Sequence, residues 1–274
     1  MSTPDPNTIS FIMAGCQRCG STWVDAALRE YPEIFLPAQK QTYFFDENYE
    51  KGTDWYLSQF QDACHSEVYK AVGEISTGYC LPHAIPKMAA LLPHIKIIMA
   101  MRHPVERAYS NYQTRKAVNN WSSFESALEQ DPNFYDRGRY IEQIEALLEH
   151  YPREQLHFVL YDDLKQNDKA YLDSILDFLG IESTQVNSQI GLVRNASIFP
   201  RLRKTLHTLG LKSVVNAISR SAIGDVVRKR NKKKRKSSAL SMNPQTRSEL
   251  VAYFKPYNEK LASFLNRNLD HWNN

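Results

Sequence analysis

The sequence predicts an α/β fold in three layers, αβα, with a parallel sheet at its centre. Short apolar runs of strand length recur between stretches of helical periodicity. The first run, Ile9-Ser10-Phe11-Ile12-Met13-Ala14, leads through a loop bracketed by Gly15 and Gly20 into a helical pattern with Trp23, Val24, Ala27 and Leu28 on one face. A later run, His94 to Met101, ends at Arg102 and is followed by Pro104, a residue suited to the first turn of a helix. Strand, glycine-bounded loop and helix in that order make an anion cradle of P-loop type. The first amides of a helix lack an intrahelical acceptor and carry partial positive charge.

The 274 residues fit one large domain, 1–274, and 42% hydrophobic content is enough for its core. No apolar run reaches 18 residues, so no membrane span is expected. The opening Met1 to Asn7 has neither the basic start nor the apolar centre of a secretory signal, and the expected location is cytoplasmic. Cys16-x-x-Cys19 has redox spacing. Both cysteines lie inside the loop, however, and no matching Cys/His pair accompanies them, so reduced thiols are expected and no metal. The net charge of +4 is local: the run Arg228 to Lys236 holds eight of the 34 Lys and Arg residues, and the rest of the chain stands at −4. A nucleic-acid surface would need a basic stripe spread over the fold with aromatic platforms, so nucleic acid is excluded as a partner.

The loop Gly15-Cys16-Gln17-Arg18-Cys19-Gly20-Ser21-Thr22 nearly spells G-x-x-x-x-G-K-[ST], but Ser21 occupies the lysine position. A triphosphate needs that cation, and here the nearest one, Arg18, comes earlier. The arrangement resembles the 5′-phosphosulfate loop of the PAPS-dependent sulfotransferases, roughly Lys-x-Gly-[ST]-[ST]-x-[LV]. The resemblance puts Arg18 in the lysine place, makes Cys19, Gly20, Ser21 and Thr22 part of the cofactor loop, and aligns Trp23 with an adenine-contacting tryptophan. The second motif is Arg102-His103-Pro104-Val105-Glu106-Arg107-Ala108-Tyr109-Ser110. In the same family an arginine at a strand end and a serine eight positions on grip the cofactor's 3′-phosphate, which assigns Arg102 and Ser110. With a helix starting at Pro104, Ser110 lies ~9 Å along its axis at ~1.5 Å per residue.

The elements between these motifs follow in order. Pro32 to Pro37 reads as extended, and Gln39 to Asp46 aligns with a family segment, Lys-Glu-x-His-[FY]-Phe, whose glutamate is the general base. Lys40, Phe44 and Phe45 match. Gln41 replaces the glutamate and takes no proton at neutral pH, so only a contact role carries over. A short helix from Gly52 is capped by Thr53 or Asp54. A strand, Tyr69 to Ser76, ends in Glu74-Ile75-Ser76-Thr77-Gly78-Tyr79, resembling Gly-Glu-x-[ST]-x-x-Tyr; relatives with lysine after the glutamate have a second cation that Ile75 does not supply. Glu74 is then either the proton acceptor or a carboxylate that fixes a loop through backbone hydrogen bonds.

A helix from Ala84 to Leu92 precedes the strand ending at Arg102, and amphipathic helices follow at Ser123 to Glu129 and Arg139 to His150. Leu156 to Leu164 reads as a strand ending in Tyr161-Asp162-Asp163-Leu164, where the resemblance sets Tyr161 against the adenine; a core-edge tyrosine is the other reading. Asp168 to Gly180 is a helix closed by glycine. The stretch 228–240 reads as a basic, mobile loop that either stays solvated or, as the resemblance implies, closes Lys234, Arg235 and Lys236 over the 3′-phosphate. A final helix runs from Pro244 to Leu265.

The resemblance implies transfer of a sulfuryl group from PAPS to a hydroxyl or N–H, leaving PAP, with Arg18 and the amides of Gly20, Ser21 and Thr22 stabilising charge on the leaving group. The loss of glutamate at position 41 points to a small-molecule acceptor, and a cationic or guanidinium natural product is one comparison that the bacterial members offer. Tyr43, Tyr49 and Asp46 could face such a cation. The alternatives are a glycan O-sulfotransferase, a P-loop small-molecule kinase, which leaves Arg102 and Ser110 unexplained, and a non-catalytic anion-binding module.

Overall fold

Five strands, β1 (Phe11–Gly15), β2 (Ile34–Phe35), β3 (Ala71–Ile75), β4 (Lys96–Met101) and β5 (Leu156–Leu160), form an all-parallel sheet in the order β2-β3-β1-β4-β5. The computed structural model describes residues 4–183, 187, 189–190 and 242–274. Apart from Met242, Asn243 and Pro244, these belong to one compact unit, Met1–Val193 with Gln245–Asn274. Every residue of β1 and β3 is buried, as is every residue of β4 after Lys96. Strands covered on both faces read as apolar runs, as β1 and β4 do, while β3 carries one buried carboxylate, Glu74.

The flanking helices are α1 (Ser21–Leu28), α2 (Thr53–Ser58), α3 (Ile85–Leu91), α4 (Pro104–Asn119), α5 (Phe124–Gln130), α6 (Asn133–Asp136), α7 (Tyr140–Leu148), α8 (Tyr161–Gln166), α9 (Asp168–Leu179) and α10 (Pro244–Leu265). Their ends follow local chemistry. Pro104 opens α4, the Ser123 hydroxyl caps α5 by accepting from Ser126 N, and Gly180, at φ 79°, closes α9. Two ends differ from the sequence expectation. α2 starts after Gly52, at φ 81°, with no side-chain cap from Thr53 or Asp54. β5 stops at Leu160, and Tyr161 begins α8, whose first turn holds Asp162 and Asp163. Two carboxylates there suit the positive end of a helix better than the end of a strand. Asp162 also accepts from the indole N–H of Trp272 at 2.8 Å, and Trp272, fully buried, lies edge-on to Tyr140.

β1 sits mid-sheet because its two neighbours approach it closely. Phe11 pairs with Gly73 on one side and Lys96 on the other. A Cβ at Gly73 would collide with the Phe11 carbonyl oxygen and lie 2.5 Å from its ring. Backbone at the sheet centre cannot give way, so Gly73→Ala should destabilise the protein by about 1–3 kcal/mol, read as a lowered midpoint in urea denaturation with an unchanged slope.

Candidate functional site

The crevice outside the carboxyl ends of the strands is where parallel α/β sheets bind ligands. Here it is lined by the segments after β1, β2, β3 and β4. After β1, Arg18 adopts φ 71°, an uncommon left-handed conformation for a residue with a side chain, and Gly20 adopts φ 96° as the N-cap of α1. A Cβ at Gly20 would meet Leu164 at 2.9 Å and the Tyr161 ring at 3.1 Å. No side chain caps α1, so its leading amides are open to an anion.

Arg18 and Ser110 come from elements 92 positions apart, yet Arg18 Nε donates to Ser110 Oγ at 3.1 Å. Arg102, at the end of β4, donates through Nη1 to the Arg18 carbonyl oxygen at 3.4 Å, and its guanidinium lies 5.0 Å from the centre of the Tyr161 ring. Tyr140 fixes the Arg102 backbone by donating to its carbonyl at 2.7 Å. The glycine-bounded loop and the arginine–serine pair therefore meet in one crevice. Tyr161 lies between Gly20 and Arg102.

Lys40 completes the cluster. Its Nζ donates to Ser21 Oγ at 3.2 Å and Thr22 Oγ1 at 3.1 Å. Positions 21 and 75 carry no cation, and the segment after β2 brings one. Burial, with the nearby Arg18 and Arg29 charges adding to it against Asp25, lowers the Lys40 pKa from its ordinary value. The sequence signal was present in the match at Lys40, but its reach to α1 depends on a crossover that spacing alone does not describe.

Other expected site residues are found elsewhere. Trp23 is 2% exposed; its indole N–H donates to Gln189 O at 3.1 Å and its ring meets Tyr171 edge-on, so it is enclosed in the core rather than open to an adenine. The Cys19 thiol is fully buried beneath the loop, which leaves its backbone as the part that can line the crevice. Glu74 is also fully buried. Its oxygens accept from Thr42 N (3.2 Å), Thr42 Oγ1 (3.0 Å) and Ser76 Oγ (2.7 Å). Burial raises its pKa against the effect of these bonds. Of the two readings of Glu74, the enclosed carboxylate that fixes a loop is the one the geometry favours, because no oxygen reaches the crevice to meet an acceptor. Lys234, Arg235 and Lys236 lie outside the described residues.

Gln41 cross-links two segments: its Oε1 accepts from Thr77 N (3.3 Å) and Oγ1 (2.9 Å), and its Nε2 donates to Tyr43 Oη (2.9 Å). Next to this link Asp46 packs on Gly78, where the absence of a Cβ admits the carboxylate. Asp46 Oδ1 is buried with no hydrogen bond. Burial, reinforced by Glu47 and opposed by Arg137 and His83, raises the Asp46 pKa. Arg137 is anchored by Nη1 to Thr77 O at 3.3 Å.

Comparison with known proteins agrees with this geometry. A family model described as "Sulfotransferase domain" matches residues 9–264. The chain is 20% identical to the membrane-associated sulfotransferase kil1 of Dictyostelium discoideum, over 97% of this chain and 66% of that protein. It is 31% identical to the human bifunctional heparan sulfate N-deacetylase/N-sulfotransferase 2, over 62% of this chain and 22% of that protein. It thus spans about two thirds of the first relative and about a fifth of the second. The structure of a sulfotransferase from Alicyclobacillus acidocaldarius superposes with a TM-score of 0.70 at 22% identity, covering 97% of this chain and 99% of that one, and so shares the fold. Among the described residues no helix is long and apolar enough to cross a membrane.

Proposed function

The chain belongs to the sulfotransferase domain family, and from that premise we propose that it transfers a sulfuryl group from PAPS to a hydroxyl or N–H of a small, cationic acceptor. The observation that carries the donor assignment is the Arg18–Ser110 hydrogen bond, which joins two separate phosphate-binding motifs. The residues present suit PAPS: uncapped amides and Lys40 with Ser21 and Thr22 at one end, and Arg102 with Ser110 at the other. PAPS supplies the sulfuryl group and leaves as PAP.

The chain's own residues divide the remaining work. Arg18 keeps its charge at every working pH and, with Lys40 and the α1 amides, favours the negative charge that builds on the departing phosphate. Arginine and serine at the far end hold the 3′-phosphate and fix the register of the nucleotide, so that the acceptor meets the sulfur along one line. On the acceptor side, the support for a cationic ligand is the Oδ1 of Asp46, buried without a hydrogen bond beside Tyr43; the Tyr49 ring already has Lys87 Nζ 4.7 Å from its centre. A buried carboxylate oxygen without a donor is costly, and an acceptor N–H would satisfy it. Asp46, with its raised proton affinity, is also the carboxylate assigned to take the acceptor's proton. A glycan acceptor is the second reading, supported by the likeness to the heparan sulfate relatives.

Incubation of the full chain with 35S-labelled PAPS and a metabolite extract, beside an arm with unsulfated heparan oligosaccharide, separates these readings. A product gaining one sulfuryl group in the extract supports the small acceptor, and label in the oligosaccharide alone replaces it with the glycan. Arg102→Ala should weaken PAP binding by about 100-fold, since it removes a charged, forked donor, as measured by titration calorimetry. PAP affinity should also fall as the pH rises toward the lowered Lys40 pKa. Only protonated Lys40 attracts phosphate, and a bound phosphate returns its pKa upward, so binding takes up a proton in that window. Calorimetry in two buffers of different ionisation enthalpy measures that uptake.

A further inference from the structure

Burying a carboxylate is costly unless several donors meet it. Those that meet Glu74 belong mostly to one residue. Thr42 gives it both its backbone N–H and its hydroxyl, and Ser76 gives the third. Because the Thr42 hydroxyl has a single proton, donated to Glu74, its oxygen accepts from Tyr79 Oη at 2.8 Å; Tyr79 in turn accepts from Phe44 N at 2.7 Å. The Thr42 carbonyl accepts from Asn48 Nδ2 at 2.8 Å. Residues 41–43 belong to neither helix nor strand, so these bonds are what fix their path. Two positions before Thr42 stands Lys40, whose Nζ rests on Ser21 and Thr22.

We propose that Glu74 is a positioning residue: by gripping Thr42 it fixes the segment that delivers Lys40 to the first turn of α1, and so sets the grip of the site on the 5′-phosphate end of the nucleotide. The claim rests on the nucleotide reading above. A carboxylate is suited to this place because all three bonds converge on its Oε2, and bonds to a charged oxygen are stronger than those a glutamine carbonyl of the same shape would accept. Lysine has four rotatable side-chain bonds and loses much entropy on binding, so anchoring its backbone reduces what remains to be ordered.

The test is a binding cycle on the full chain with two probes, PAP and adenosine 3′-monophosphate, which lacks the 5′-phosphate. Wild type, Glu74→Gln, Lys40→Met and the double variant are titrated by calorimetry, and thermal melting checks the fold. Glu74→Gln should weaken PAP about 10-fold and adenosine 3′-monophosphate less than about twofold, and the double variant should bind PAP no more weakly than Lys40→Met alone. A loss that falls equally on both nucleotides, or that adds in full to the Lys40→Met loss, overturns the proposal, since a general structural defect would give that pattern. Should Glu74→Gln fail to fold, Thr42→Val reads the same cycle: PAP selectivity equal to that of the wild type overturns the proposal, and a selective loss upholds it. A wild-type chain that binds neither probe overturns the nucleotide reading itself, and the positioning claim with it.

Discussion

Three cationic side chains and the positive end of a helix converge on one crevice, and the rest of the molecule is arranged to hold them there. Arg18, Lys40 and Arg102 repel one another, and the open amides of α1 add to the same sign. What holds them is mostly a set of neutral acceptors, the Ser110 hydroxyl for Arg18, the Ser21 and Thr22 hydroxyls for Lys40 and the Arg18 carbonyl for Arg102, with one carboxylate, Glu106, 3.8 Å from Arg102. Neutral oxygens hold a cation's geometry without cancelling its charge. Closer carboxylates would bind the cations more strongly and leave little attraction for an anionic ligand; Glu106 is held more tightly by Arg247, which bonds it at 2.7 Å. The left-handed backbone at Arg18 belongs to the same compromise, a locally unfavourable conformation maintained by the packing around it.

Strand order explains how one crevice can serve two ends of a long ligand. With β1 at the centre, its loop is flanked by β3 on one side and β4 on the other. The β4 side supplies Arg102 and, through α4, Ser110. The β3 side supplies Glu74 and Thr77, which hold the segment after β2 that carries Lys40 and Gln41. On the nucleotide reading each end of the ligand meets a different neighbour of β1, with the loop of β1 between them. Tyr140 and Trp272 brace the β4 side from behind, the first through the Arg102 carbonyl and the second by packing against Tyr140.

Features written in contiguous residues were legible from the sequence, and features made by distant pairs were not. The parallel sheet followed from short apolar runs between amphipathic stretches, and the loop and the arginine–serine pair followed from spacing within single segments. Lys40 was a visible match, but its partners Ser21 and Thr22 lie 19 and 18 positions away across the β1–β2 connection, and no local pattern reports that contact. Trp23 shows the converse. Its position in the motif is right, yet its environment is decided by Tyr171 and Gln189, residues remote in sequence, which enclose it. At Tyr161 the apolar run of β5 reads on as strand, whereas the paired aspartates that follow favour a helix start, and electrostatics at the helix end prevailed.

The amide at position 41 bears on the chemistry in the same way. Its oxygen accepts from Thr77 while its nitrogen donates to Tyr43, so both halves of the group are used in joining two loops. A carboxylate there could accept from Thr77 but would have no N–H for Tyr43, and the joint would depend on the tyrosine reversing its role. Gln41 therefore reads as a cross-link, with proton transfer moved elsewhere. Glu74 cannot receive it, being enclosed by donors that already use its oxygens. Asp46 differs on each point: its Oδ1 has no donor, its environment raises its affinity for a proton, and Gly78 leaves the space it occupies. A buried oxygen with unused capacity beside a rigid joint is suited to meet an N–H that arrives with an acceptor, and that contact is the ground of the role proposed for Asp46.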